Sequence, residues 1–130
     1  MTITKDYEGL QLINDEYYKL DCDIVSDEYI IINLDKPLRV CGNIKAEGNI
    51  IAEGYIYAKG YIYAKGDIYA FGDIYAGGYI YAKGNIIALR NIYAVEHIDA
   101  GGNIAAGGCI YAEGYITAGG CIYAKGYIFV

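Results

Sequence analysis

Residues 60–83 read GYIYAK GDIYAF GDIYAG GYIYAK, four copies of a six-residue unit. The unit runs from Gly42 to the end as fifteen consecutive copies, the last one short. Its third position is Ile in every copy, Ile44 through Ile128, and its fifth is Ala in every complete copy, Ala46 through Ala124. The first position is Gly except at Arg90 and Glu96. These positions alternate with polar or aromatic residues. A period of two means extended strand, with one set of side chains on each face. A helix would scatter the Ile residues around its whole circumference. It would also carry thirteen Gly at fixed spacing, each costing about 1 kcal/mol relative to Ala. No strand runs for about ninety residues, so the chain must bend at every unit. Gly at the junction is expected to supply the bend through its tolerance of unusual dihedrals.

Short strands joined by regular bends wind into a β-solenoid. Two units per turn would make a flat sandwich, and three a triangular prism of 18 residues per turn. Stacked residues should resemble one another, so the outward positions decide. Every third unit gives Tyr57, Tyr75, Tyr93, Tyr111 and Phe129 at the fourth position, an unbroken aromatic ladder. On another face the second position gives Asn49, Asp67, Asn85, Asn103 and Cys121, with no Tyr. A twelve-residue turn would mix these classes. The expected fold is all-β: a single-domain triangular solenoid of three parallel sheets, with Ile and Ala inside. The repeat by itself leaves the handedness open.

Ile30, Ile32, Leu34, Leu38 and Val40 keep the inward alternation before the repeat is perfect, and Pro37 falls near a corner. The solenoid is therefore expected over residues 30–130, about 5.6 turns or roughly 27 Å of stack. Residues 1–29 lie outside the repeat. They carry Asp6, Glu8, Asp15, Glu16, Asp21, Asp23, Asp27 and Glu28 against Lys5 and Lys19. They are expected to form an acidic N-terminal cap over the open end of the stack, with a strand pair around Leu10–Ile13 and Tyr17–Leu20. The other end stops at Ile128, Phe129 and Val130 without such a segment, an apolar edge expected to invite another chain.

The 130 residues include 18 Gly and 17 Tyr with one Pro, yet 55% are hydrophobic, which argues against disorder. Collagen is excluded by the Gly period and the near absence of Pro. The net charge of −6 is uneven. Residues 1–41 hold 9 acids and 4 bases, and the repeat 7 acids and 6 bases. Lys65 and Lys83 share a corner, but no basic stripe exists, so direct nucleic-acid binding is not expected. No apolar run is long enough to span a membrane, and Met1 is followed by polar residues. A cytoplasmic location is expected, with Cys22, Cys41, Cys109 and Cys121 as free thiols.

Three outward faces follow from the period. The first carries Tyr61, Tyr63, Tyr79, Tyr81 and Tyr115, with His97 and Asp99. The second carries Ile51, Tyr69, Ile87 and Ala105 in one column and Phe71 beside Leu89 in another. The third carries the aromatic ladder. Outward Tyr and Ile are strand formers that stack along a ladder, which is sufficient reason for many of them. Exposing Phe and Leu together has no such reason. Ile51, Tyr69, Phe71, Ile87 and Leu89, with the terminal Phe129 and Val130, are the candidate homodimer interface. Tyr57, Tyr75, Tyr93 and Tyr111 are candidates for binding a protein partner. So are Tyr79, Tyr81, His97 and Asp99, with Arg90 and Glu96, where the Gly pattern breaks.

Catalytic chemistry is not legible. The chain has one His, no visible nucleophile–base pair, and no clustered metal ligands. No catalytic, cofactor-binding or metal residue is expected. The hexapeptide acyltransferases, left-handed β-helices with a catalytic His, are a poor match. No looped-out insertion walls a substrate site here, and Tyr usually stands where those repeats favour a small or acidic residue.

The alternation Gly-x-Ile-x-Ala, as in Gly42–Ala46 and Gly66–Ala70, resembles the repeat of bactofilins over about residues 30–130. That resemblance implies a right-handed coil and end-to-end polymerisation into filaments. The Ile/Tyr/Asn/Lys-rich composition resembles small proteins of AT-rich Gram-positive bacteria and their phages. The expected function is a non-enzymatic, homodimeric interaction scaffold that presents a Tyr-rich surface to a protein. A phage-encoded inhibitor of a host defence complex, such as an anti-CRISPR protein, and a bactofilin-like polymer are the alternatives.

Overall fold

The computed structural model describes residues 1–130 and consists of strands and turns, with no helix. Six strands precede the perfect repeat: β1 (Thr2–Ile3), β2 (Gln11–Ile13), β3 (Tyr17–Leu20), β4 (Ile24–Ser26), β5 (Ile30–Ile32) and β6 (Leu38–Val40). Fourteen three-residue strands follow, β7 (Ile44–Ala46) through β20 (Ile122–Ala124), each beginning at a repeat Ile; β21 is Ile128–Phe129. They stack into sheets of seven, six and eight strands. In the repeat each strand pairs in parallel with the strands three before and three after it. Ile62, for example, lies opposite Ile44 on one side and Ile80 on the other, three repeat units away in each direction. The triangular solenoid expected from the period is the observed architecture. The second face of the sequence reading is the seven-stranded sheet, the first face the six-stranded sheet, and the third face the eight-stranded sheet.

The coil starts earlier than residue 30. Strand β3 pairs in parallel with β6, and β4 with β7. Residues 17–29 therefore form a first coil inside the stack, and only residues 1–16 wrap its end. The imperfect composition of this coil hides it in the sequence: Tyr18, Leu20 and Ile24 point inward as the repeat requires, but the unit's Gly and Ala are missing. Ser26 stands in the column of Ala46. Its hydroxyl donates to the Tyr29 carbonyl at 3.0 Å and accepts from the Glu28 N–H at 3.1 Å, so its burial leaves nothing unpaired.

The expected N-terminal strand pair is present as β2 and β3, the one antiparallel pairing, with Ile13 opposite Tyr17. Its turn places Asn14 at φ 51° and Asp15 at φ 58°, a region these two side chains tolerate better than most. Strand β1 lies in parallel along β5. Together β1 and β2 cover the starting edges of two of the three sheets.

The first coil is also longer than the later ones by two residues. Ile24 faces Ile44 and Ile30 faces Ile50, whereas Leu38 already faces Ile56. The added pair enlarges the corner at 33–37, where Leu34 is half-buried and Pro37 begins the next side. Asp35 in this corner accepts the Tyr18 hydroxyl at 2.8 Å, and Lys36 lies 3.9 Å from Asp15. The hydrogen bond holds the Asp35 carboxyl below the usual carboxylate range and pushes the Tyr18 phenol up.

A single core of 32 buried residues runs up the axis, and 24 of them are Ile and Ala of the repeat. Ile occupies mid-side, where the prism is deepest, and each fully buried Ile contributes roughly 1.5–3 kcal/mol relative to exposure. No further coil overlies the last one here, and Ile122 and Ile128 are 39% and 46% exposed there.

The expectation that Gly bends the corners through unusual dihedrals is corrected by the structure. Gly9 is the one Gly with positive φ, and it lies outside the repeat. Most of the repeat Gly residues are there for space, although a β-carbon at Gly54 would meet nothing. Where Asn, Asp, His or Cys stands one coil below, the backbone N–H at the second position of a unit finds its acceptor in that side chain. Asn85 N–H donates to Asp67 Oδ1 at 2.7 Å, and Asn103 N–H to Asn85 Oδ1 at 2.8 Å. That side-chain oxygen sits where a β-carbon on the preceding Gly would have to go, as Asp67 does beneath Gly84 and Asn43 beneath Gly60. The two exceptions fit this account. Glu96 lies over Tyr79, whose ring stacks on Tyr61 instead of turning toward the corner. Arg90 lies over Asp73, and its N–H to the Gly72 carbonyl is stretched to 3.4 Å.

Candidate functional site

The eight-stranded sheet presents the most developed surface. Its parallel register places Tyr57, Tyr75, Tyr93 and Tyr111 on successive rungs. Their rings stack at centroid distances of 4.7, 4.9 and 4.7 Å with planes within 5° of parallel. These distances equal the inter-strand spacing, so the backbone register itself sets the stack. Burial in the ladder pushes the Tyr93 phenol above its ordinary value.

Beside the ladder runs a groove of about 530 Å³. It exists because the second-position residues next to the ladder are Asp73, Asn91 and Cys109. Asp73 and Asn91 turn along the stack to accept the N–H of Asn91 and Cys109, each at 2.8 Å, and so lie low. Strands at Ile74 and Ile92 form the floor, with Tyr55 and Phe129 at the two ends. Phe129 leaves the stack, tilting 53° from Tyr111 at 6.2 Å. Four turns separate Tyr55 from the Phe129 coil, about 19 Å at the usual strand spacing.

The ladder reaches further than the repeat suggests. The Arg39 guanidinium lies 4.2 Å from the Tyr17 ring and 5.6 Å from the Tyr57 ring, a cation held between two aromatic rungs. Arg39 stands one turn before Tyr57 and pairs with it in register. Extending the same period one turn backward finds it, but the unbroken motif starts only at Gly42. The groove floor is hidden in the sequence for a related reason. Asp73, Asn91 and Cys109 are unremarkable as residues, and only their low posture makes a groove.

The remaining partner-binding candidates do not join this site. Tyr79, Tyr81, His97 and Asp99 lie on the six-stranded sheet, with Glu96 at its entrance. There Tyr61 stacks on Tyr79 at 4.9 Å and Tyr63 on Tyr81 at 5.0 Å, two short columns side by side. Burial, with Tyr61, Tyr63 and Glu96 nearby, pushes the Tyr79 phenol up. His97 packs on Tyr115 at 3.9 Å, and its Nδ1 accepts the Tyr115 N–H at 3.1 Å, which assigns the ring proton to Nε2. His97 thus does at its corner what Asn and Asp do at others. Arg90 is exposed at a different corner, that between the seven- and eight-stranded sheets, and no ion pair joins it to Glu96.

The dimer-interface candidates also divide. Ile51, Tyr69 and Ile87 form one column of the seven-stranded sheet, with Phe71 and Leu89 beside it, 52% and 51% exposed. Phe129 and Val130 lie instead at the end of the eight-stranded sheet, close to the groove. All four cysteines are unpaired. No protein-family model matches the chain, and comparison with curated proteins and with solved structures found no match.

Proposed function

We propose that this protein is a non-enzymatic binding scaffold whose eight-stranded sheet holds an extended segment of a protein partner in the groove beside the tyrosine ladder. One observation carries this reading: four stacked tyrosines form the wall of an open groove lined at its two ends by Tyr55 and Phe129. Tyr offers large contact area and a hydroxyl for little conformational entropy, because two torsions fix it. In this ladder that entropy is already lost on folding. A groove about 19 Å long matches about six residues of extended chain at roughly 3.3 Å each. The second carboxylate oxygen of Asp73 and the Tyr hydroxyls would select a segment with apolar side chains and polar backbone edges.

The test is a peptide-display selection against the wild-type protein and against Tyr75→Ala/Tyr93→Ala. Extended peptides should be enriched on the wild type, lost on the double variant and retained on Tyr63→Ala/Tyr81→Ala, which alters a different face. Failure to enrich any peptide, or enrichment that the ladder variant leaves intact, overturns the proposal. Electron microscopy of concentrated protein separates this scaffold from an end-to-end polymer.

A further inference from the structure

The outward residues of the seven-stranded sheet change character along the stack in a way that the fold does not require. Below the strand Ile86–Ala88 they are large, with Tyr69 and Phe71 on the next rung down. On the next rung up they are small, Ala105 and Gly107, before Tyr123 on the rung after. Two rungs below stands Glu53, and two rungs above stands Lys125, in the same corner column as Phe71 and Leu89. Phe71 belongs to this face, because its ring meets Tyr69 edge-on at 5.4 Å and 76°.

We propose that this face binds a second copy of the chain. The two-fold axis lies in the contact plane along the strand Ile86–Ala88, so that the two stacks run antiparallel. Such an axis makes each column face its own copy with the rungs reversed. Phe71 then meets Gly107 of the other copy, and Tyr69 meets Ala105, so two bulges enter two hollows. Glu53 meets Lys125, an acid against a base, and the pairing occurs twice by symmetry. Ile87 and Leu89 sit on the axis against themselves. Asp67, on the polar side of the face, meets Asn103.

The other two-fold that brings these faces together lies along the stack. It would set Phe71 against Asp67 and Leu89 against Asn85, burying apolar side chains on polar groups that already serve the corner hydrogen bonds. Size over the three central rungs and charge at Glu53 and Lys125 select the antiparallel arrangement, in which Ile51 meets Tyr123 in an apolar contact at each margin. Five rungs of about 4.8 Å and five residues of about 3.3 Å give roughly 400 Å² of flat face per copy. The two faces together bury about 800 Å², below the size of a standard stable interface, so the dimer should be weak and appear only toward the top of an accessible concentration range. The inference is independent of the groove, which lies on another sheet.

Sedimentation velocity on the full chain from about 1 μM to about 1 mM tests it. The wild type should show a monomer–dimer equilibrium. Leu89→Arg puts two like charges on the axis and should leave monomer across the range, a loss of about 100-fold or more. Glu53→Lys and Lys125→Glu should each weaken the dimer by about tenfold, and Glu53→Lys/Lys125→Glu should restore it. All three positions are on the surface, and circular dichroism checks that each variant folds. A wild type that stays monomeric at the top concentration overturns the proposal, as does a dimer that Leu89→Arg leaves intact. A dimer broken by Leu89→Arg but unaffected by the charge reversals, or not restored by the exchange, overturns the antiparallel register.

Discussion

Gly84 sits directly over Asp67, and the Asp67 Oδ1 that accepts the Asn85 N–H at 2.7 Å occupies the space a β-carbon on residue 84 would need. Gly84→Ala must therefore push the two coils apart at that corner, as Arg90 does over Asp73, where the Asn91 N–H keeps its bond at 2.8 Å but the Arg90 N–H is stretched to 3.4 Å. The loss should be about 1–2 kcal/mol, from overpacking. Gly78→Ala is the control. The nearest atom to its β-carbon would be Glu96 Oε2 at 3.1 Å, the end of a flexible side chain. Its cost should stay well under that of Gly84→Ala. Urea midpoints at constant m read both.

The same logic makes His97 replaceable by chemistry and not by shape. His97→Asn keeps an acceptor for the Tyr115 N–H and should change stability little. His97→Leu fills similar space but leaves that amide without its partner, at a cost of about 1 kcal/mol. Equal effects of the two substitutions in thermal unfolding would show that the Nδ1 hydrogen bond does not matter.

The enlarged corner at 33–37 should respond to acid. The Asp35 carboxyl titrates below its ordinary range because it accepts the Tyr18 hydroxyl, with Lys36 nearby. A depressed carboxylate contributes stability above its unfolded pKa, and the contribution disappears as pH falls through the folded value. Glu47, held down by Lys65, acts in the same direction. Tyr18 acts at the other end: its raised pKa favours the neutral phenol, and its contribution is lost as pH rises past the folded value. Stability should thus fall below the ordinary carboxylate range and again in strong base. Asp35→Asn should flatten both limbs. Amide exchange at Tyr18 through Leu20 against pH is the measurement, and an unchanged acid limb in Asp35→Asn would sink the assignment.

Tyr93 stacks on both neighbours, at 4.9 and 4.7 Å, and interrupting the ladder there should cost about 1 kcal/mol. Tyr93→Phe keeps the stack and should preserve stability to within a few tenths of a kcal/mol. If the groove binds through phenol hydroxyls as well as rings, Tyr93→Phe should weaken peptide binding while leaving the melting temperature unchanged. Tyr93→Ala should reduce both.

Much of this protein is legible from the repeat because two short-range rules recur without contradiction. Alternation chooses strand, and likeness at every third unit chooses three sides. The start of the coil is not legible in the same way. Residues 17–29 obey the inward alternation at Tyr18, Leu20 and Ile24, but Ser26 replaces the unit's Ala and the two added residues at 33–37 break the spacing that makes the pattern visible. The face of each candidate residue follows from the period, and Tyr57 through Tyr111 do share one sheet. Phe129 and Val130 resemble Phe71 in character, yet the period puts them on a different sheet, and character alone is a poor guide to position.

The sequence by itself determined the fold, the number of sides, the inward Ile and Ala columns, and the order of residues up each face. These depend on periodicity, and periodicity is a property of the chain. Only the tertiary structure decided why the corners need Gly, where the groove opens, and that Arg39 joins the tyrosine ladder. Each depends on the posture of one side chain against the coil below it. That coil is a full turn away along the sequence and only one strand spacing away in space.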